Sequence, residues 1–422
     1  MTTFLGGARA ACAEEHREAT TDAHGLTLFV DMESFLVDAF ARIETARRRI
    51  FVETFIIKPD ALGETLLGKL ERAAHRGLDV RVLYDGSGSH ELPRSRVAQL
   101  RSHGVKTHRY GLIPPVGFLR TGFRDHARLL LVDDTAYTGG HAWAKDWLPR
   151  DRGGEGWSDV NCSVTGPLCE TWRRLYEARW GGGPSLWPVS LDTQDTHRDV
   201  RLISDAPGVP HRILDAHLEA AAQATKRIWL GNAYFFPTED LLTALSEARA
   251  RGVDVKVMLP GVSDLALVAR AARSCYERWL SRGLDIYEFD QVMMHGKYAV
   301  IDDDWVTVGS FNALGVSMSY AIESNLIIRD RRIVEQAAQH FLAQLKQSLP
   351  VTPTRHRARR RATKVVDFLA WAVMQFFAGA LVQVTAFWRF SARVIDFVVA
   401  RWFRTRLRWS RARIDRGGAH RA

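Results

Sequence analysis

The sequence predicts an α/β protein made of two homologous halves, each a mixed sheet flanked by helices, related by a pseudo-twofold. Three observations carry this. A strand, a helix, a glycine and a second strand occur in that order twice. A His–basic–Asp constellation follows each time, at the same internal spacing. Short uncharged runs suited to buried strands come directly after each His–basic pair.

Residues 1–26 are polar and carry both charge signs, so they read as a leading segment and not as a secretory signal. The first half spans 27–185. Arg49–Glu53 reads as a strand, Leu66–Arg76 as a helix, and Gly77–Leu83 as a cap followed by a strand. The Gly- and Pro-rich stretch over 181–200 joins the halves, with 186–200 as the linker. The second half, 201–348, repeats the order: Arg227–Leu230 as strand, Leu241–Arg251 as helix, Gly252–Met258 as cap and strand. Leu129–Val132 and Tyr298–Ile301 are the strands that carry the two constellations. Residues 349–422 form a basic, Trp- and Phe-rich tail.

At 422 residues the chain holds two domains of ordinary size. The net charge of +10 is concentrated at one end. Residues 355–422 carry 16 basic side chains against 3 acidic, and residues 1–354 carry 42 against 45. A nearly neutral body argues against a nucleic-acid groove and for an attached segment that seeks anions. Cys12, Cys162, Cys169 and Cys275 show no metal-ligand spacing, and reduced thiols facing the cytoplasm are expected.

The complete constellation is His295-Gly296-Lys297, Asp302 and Gly309-Ser310-Phe311-Asn312. The altered one is His126-Ala127-Arg128, Asp133 and Gly139-Gly140-His141-Ala142. With His and cation two residues apart on a strand, both side chains face one ligand. An imidazole beside a cation suits a phosphoester: one histidine attacks phosphorus, a second protonates the leaving oxygen, and the cations hold the non-bridging oxygens. Nothing in this scheme calls for a cofactor or metal, and none is expected.

The second constellation resembles the HxK(x)4D(x)6GSxN pattern of the phospholipase D superfamily. Its surroundings, among them Tyr234-Phe235-Phe236-Pro237, Leu259-Pro260-Gly261 and Glu323-Ser324-Asn325-Leu326, are similar to the cardiolipin synthase branch. The resemblance covers roughly residues 27–348. It implies that the two motifs meet at the internal interface in one shared active site, that His126 and His295 are catalytic through a phosphohistidine, and that Lys297 and Arg128 bind phosphoryl oxygens. It favours His126 as nucleophile, an order the residues themselves leave open. Glu323 and Asp159 are the carboxylates expected to orient the histidines. Ser310 and Asn312 are expected to bind phosphate, with His141 as a substitute donor in the first half, where Ala142 replaces the Asn. Asp133 and Asp302 complete the candidate catalytic set, although their places suit strand and turn stabilisation better. Arg128 departs from the pattern's lysine, as does Leu314-Gly315-Val316-Ser317 from an Asp-x-Arg-Ser stretch.

Residues 368–388 are 21 uncharged residues between basic flanks. That length suits a span, but both flanks favour the same membrane face. An interfacial or re-entrant segment resolves the conflict, with a true span and a packed helix as alternatives. The expected function is therefore that of a phosphatidyltransferase on anionic phospholipid, associated through residues 355–416 with the cytoplasmic face of the cell membrane. It would make cardiolipin from two phosphatidylglycerols with release of glycerol. A hydrolase using water, a nuclease and a degenerate phosphate-binding module are the rivals. Oligomeric state is not legible.

Overall fold

A computed structural model describes residues 25–111, 124–181, 200–207, 211–315 and 321–376. The first half supplies strands β1 (Leu26–Phe29), β2 (Arg49–Thr54), β3 (Asp79–Asp85), β4 (Lys106–Tyr110), β5 (Arg124–Asp125), β6 (Leu129–Val132), β7 (Thr135–Gly139) and β8 (Asn161–Thr165). Its helices are α1 (Met32–Thr45), α2 (Ala61–His75), α3 (Arg94–Ser102) and α4 (Leu168–Gly181). The second half supplies β9 (Val200–Asp205), β10 (Arg227–Asn232), β11 (Asp254–Pro260), β12 (Asp285–Phe289), β13 (Lys297–Ile301), β14 (Trp305–Gly309), β15 (Ala321–Ile328) and β16 (Ser348–Val351). Helices α5 (Arg212–Gln223), α6 (Glu239–Ala250), α7 (Ala266–Ser281), α8 (Arg331–Leu345) and α9 (Pro353–Arg357) flank them. A further helix, α10, covers 361–376.

Seven strands form one sheet in the order β1-β8-β7-β6-β2-β3-β4. The other sheet runs β16-β12-β11-β10-β13-β14-β15-β5, with β9 also on β15. In both, the parallel trio that follows the helical crossovers (β2-β3-β4; β10-β11-β12) sits beside an antiparallel meander bearing the constellation. The mixed sheets follow from this order: crossovers through helices give parallel neighbours, tight turns give antiparallel ones. Equivalent helices even start alike, α2 capped by the Asp60 carboxylate and α6 by the Thr238 hydroxyl. The facing sheet surfaces share a core in which Phe51, Trp172 and Tyr176 of the first half pack in one cluster with Trp229, Val308 and Phe341 of the second.

Asp133 and Asp302 occupy matching turns, each with a left-handed φ of about 50°. The Asp302 carboxylate accepts the backbone N–H groups of Thr225, Lys226 and Arg227 at 2.8–3.0 Å. Asp133 does the same for Arg47, Arg48 and Arg49. Each clamps a strand turn to the start of the neighbouring central strand, so the structure takes both out of the substrate-contacting set. Losing three charge-assisted bonds at a left-handed residue should cost about 2 kcal/mol. Asp302→Ala is expected to lower the melting temperature while the folded fraction keeps its activity, measured by calorimetry and assay.

Two boundaries differ from expectation. The β13 and β6 strands begin at Lys297 and Leu129, so each histidine lies just before its strand and not on it. The compact body extends to Trp371, well past 349. The cause is β16, an edge strand that tolerates Pro350 and pairs with β12, carrying α9 and the first part of α10 with it. Residues 1–24, most of the 186–200 linker, Ser317 and residues 377–422, which hold most of the expected membrane-associating tail, lie outside the described residues. Among the described residues no helix is long and apolar enough to cross a membrane. Cys162, Cys169 and Cys275 are free thiols.

Candidate active site

The site is built by a reciprocal exchange of backbone between the halves. The first-half strand β5 joins the second sheet beside β15, pairing Arg124 with Ala321 and Asp125 with Ile322. The N–H of His126 then donates to the Ile322 carbonyl at 3.0 Å. In return, Ser158 of the first half bridges Met294 of the second. Ser158 N–H donates to the Met293 carbonyl at 2.9 Å, and His295 N–H to the Ser158 carbonyl at 2.7 Å.

Each histidine consequently stands beside a carboxylate of the other half. His126 Nδ1 lies 3.0 Å from both carboxyl oxygens of Glu323. His295 Nδ1 donates to Asp159 Oδ2 at 3.0 Å. The Asp159 carboxylate also accepts the Trp147 indole N–H and the Val160 N–H, both at 2.8 Å. With Nδ1–H spent on the carboxylate, the lone pair of His295 is on Nε2.

The two cations sit against these rings. Arg128 Nη2 is 3.0 Å from His126 Nε2, and its Nε donates to the His141 carbonyl at 3.1 Å. Lys297 Nζ is 2.9 Å from both ring nitrogens of His295 and lies over the Tyr234 ring, 5.6 Å from its centroid. Both cations are buried. His126, His295, Arg128 and Asn312 line one open cavity of about 490 Å³. Its walls are Phe55, Trp147 and Trp157 from one half, and Tyr234, Leu265 and Leu314 from the other.

Burial and the neighbouring Lys297 hold the His295 imidazole down to about 4, against the Asp159 hydrogen bond. Burial, with Arg128, Lys297 and His295 adding repulsion, takes His126 well below its ordinary value. Lys297 is likewise well below a free amine, through burial first and Arg128 next. The carboxylates part company. Burial pushes Glu323 up to about 8 despite the Ser310 hydroxyl, Arg128 and Lys297, with Asp205 adding repulsion. Asp159 is equally buried, yet its bond to His295, Lys297 and the Trp147 indole bring it down to about 2. A phosphodiester anion entering the cavity opposes the repulsion that depresses both imidazoles and the amine, so substrate favours their protonated forms.

Of the expected phosphate ligands, Asn312 fits. It lines the cavity, where its amide N–H groups can donate to a phosphate oxygen. Ser310 is fully buried away from the cavity, its hydroxyl bonded within the protein to Ser324 N–H at 3.0 Å and to Glu323. It therefore orients a carboxylate where a phosphate contact was expected. His141 is corrected too: its Nδ1 contacts Asn161 Oδ1 at 2.8 Å and its ring packs on Phe35 and Trp143, behind Arg128. Ala142 belongs to the same buried core. Sequence reasoning missed Trp147, whose indole fixes Asp159, and the pairing of the Tyr234 hydroxyl with Asp264 at 2.7 Å. Tyr234 stood in a quoted motif; Trp147 had no local signal. Among the described residues no three His, Cys, Asp or Glu side chains are grouped to hold a metal.

The family model described as "Cardiolipin synthase, PLD-like domain" matches residues 218–345. Cardiolipin synthase B of Salmonella typhi is 32% identical over 334 residues, 74% of this chain and 78% of the relative. Cardiolipin synthase A of Pseudomonas putida is 30% identical over 329 residues, 76% of this chain and 68% of its own. Among solved structures, phosphatidylserine synthase of Haemophilus influenzae superposes with a TM-score of 0.67 at 14% identity, covering 87% of this chain and 96% of its own. At that identity the likeness concerns the fold.

Proposed function

The chain belongs to the cardiolipin synthase-like branch of the phospholipase D superfamily, and on that premise we propose that it joins two phosphatidylglycerols into cardiolipin and releases glycerol. One observation carries the reading: two imidazoles, each completed by a carboxylate of the opposite half, open into one cavity with a cation at each ring.

In the first step Nε2 of one histidine attacks the donor phosphorus. The P–N bond forms, the P–O bond to glycerol breaks, and the second imidazolium gives its proton to the departing alkoxide. In the second step that imidazole takes the proton of an acceptor glycerol hydroxyl. The alkoxide attacks phosphorus and the P–N bond breaks, returning both histidines to their starting forms. Lys297, Arg128 and Asn312 hold the non-bridging oxygens as charge develops. Phe55, Trp147 and Trp157 line the cavity with apolar surface, which disfavours water as acceptor, and the relatives that bear the name synthase support transfer over hydrolysis. The protein acts on anionic phospholipid, and we place it at the cytoplasmic face of the membrane through residues 355–416.

Purified full-length protein given labelled phosphatidylglycerol in vesicles should yield cardiolipin and free glycerol in equal amounts. Phosphatidic acid as the main product would overturn transfer in favour of hydrolysis.

A further inference from the structure

The first part of α10 is inside out. Asp367 is 1% exposed, ion-paired with Arg359 and, at 3.4 Å, with Arg270 of α7. Val365, Val366, Phe368 and Leu369 are 45–57% exposed on the outer side. A helix packed beside water buries its apolar stripe and shows its charges; here the order is reversed.

A second apolar group stands at the start of α7. Val262, Leu265 and Leu267 are 43–52% exposed. Leu265 occupies the N-cap with no side-chain hydrogen bond, and the first turn carries no acidic residue, although that end of a helix favours both. The two groups account for seven of the twelve large apolar side chains exposed among the described residues. Patches of that kind mark interaction surfaces.

The two segments that bear them also adjoin. His356 packs on Tyr276 with ring centroids 5.9 Å apart, Arg357 pairs with Glu277 at 3.3 Å, and Asp367 pairs with Arg270. The chain from α9 to α10 therefore runs antiparallel to α7, with Asp367 opposite Arg270, one helical turn from Leu267. Leu265 and Val268 line the catalytic cavity with His126 and His295, so this apolar lip lies at its mouth. Asp264, the one acid of the lip, is held by the Tyr234 hydroxyl and also lines the cavity. Around the patch the exposed cations Arg270, Arg355, Arg357, Arg360 and Arg361 outnumber the exposed acids Asp264, Glu277 and Asp290, and Glu277 is paired with Arg357.

We propose that this lip, formed by the start of α7 and the outer face of α10, inserts into an anionic bilayer and delivers lipid headgroup-first into the cavity. The occupant follows from the pairing of apolar insertion with a surplus of cations along the α9–α10 side, the combination that an anionic lipid surface satisfies. The inference deepens the proposed function, on which it rests for the nature of the substrate. It adds a docking element inside the second half, separate from the basic tail.

The test uses full-length protein with Cys12→Ser and Cys275→Ser, labelled with an environment-sensitive dye at Leu267→Cys, at Val365→Cys or, as control, at Val37→Cys. Vesicles of phosphatidylglycerol and phosphatidylcholine in equal parts should blue-shift the dye at 267 and 365 and leave 37 unchanged; pure phosphatidylcholine should act weakly. Leu267→Glu should weaken vesicle binding about tenfold, as loss of one buried leucine implies. An unshifted dye at 267 on vesicle-bound protein, or no vesicle binding, overturns the proposal. So does a dye already shielded without vesicles, which would mean that another segment or a second copy covers the lip. Shifted dyes without cardiolipin in the product assay would leave the docking surface standing and remove the proposed reaction.

Discussion

His295→Ala and His126→Ala should each lower cardiolipin formation by roughly 10⁴-fold or more, and the double variant should be no slower than either single one. Each step needs both imidazoles at once, one bonded to phosphorus and one moving the proton, so removing either stops the cycle at the same place. Circular dichroism and thermal melting check that the variants fold. A phosphatidyl ester of p-nitrophenol then separates the roles, because nitrophenolate leaves without an acid. The variant that still releases one equivalent of nitrophenolate in a burst retains the nucleophile. Substantial cardiolipin from either single variant would remove that residue from the site.

The two orienting carboxylates are expected to respond very differently to loss of charge. Asp159 is ionised, held at about 2 against burial by His295, Lys297 and Trp147. In Asp159→Asn the side chain can present an N–H to Nδ1, which moves the imidazole proton to Nε2 and removes the lone pair the reaction uses. A loss of about 10³–10⁴-fold in kcat is expected, the scale seen when a buried carboxylate stops fixing a catalytic tautomer. Glu323 is raised to about 8 by burial, so at pH 7 its carboxyl is mostly protonated. Glu323→Gln copies that neutral form and should stay within about tenfold of the wild type. Measuring kcat for both at pH 7 decides it, and equal losses would sink the asymmetry. Stability gives a second readout. A folded value above the unfolded one stabilises the protein fully below about 4.5, and that contribution is lost as pH rises towards 8. The Gln variant should lack this slope. For His295 the sign is opposite: its value of about 4 lies below the ordinary 6.5, so its burial destabilises the fold at low pH and ceases to do so as pH rises through that window.

The parts legible in the sequence were those with local signals. The Gly77 and Gly252 stops, the Val-rich strands after them and the matched spacing of both constellations led to two sheets of the same strand order. What escaped depends on contacts far apart in the chain. The exchange that brings His126 to Glu323 uses a strand of only two residues, too short for any periodicity to reveal. The same holds for the single bridge between Ser158 and Met294. Ser310 and His141 stood in the right places of a motif, yet whether a side chain faces the cavity or its backing is decided by the strand behind it, Ser324 in one case and Asn161 in the other. The start of the tail was missed because Leu349-Pro350 does not look like a strand until β12 offers it an edge.

The crossed carboxylates bear on how such a chain can change over generations. In an assembly of two identical copies, every substitution in one constellation would appear in the other, and a loss in phosphate binding would be suffered twice. Two halves on one chain are free of that coupling. Arg128 and Ala142 stand in one half where Lys297 and Asn312 stand in the other. Each histidine still stands beside a carboxyl group encoded by the opposite half, so each half completes the other. The arrangement thus makes the halves inseparable as hardware and independent as heritable text.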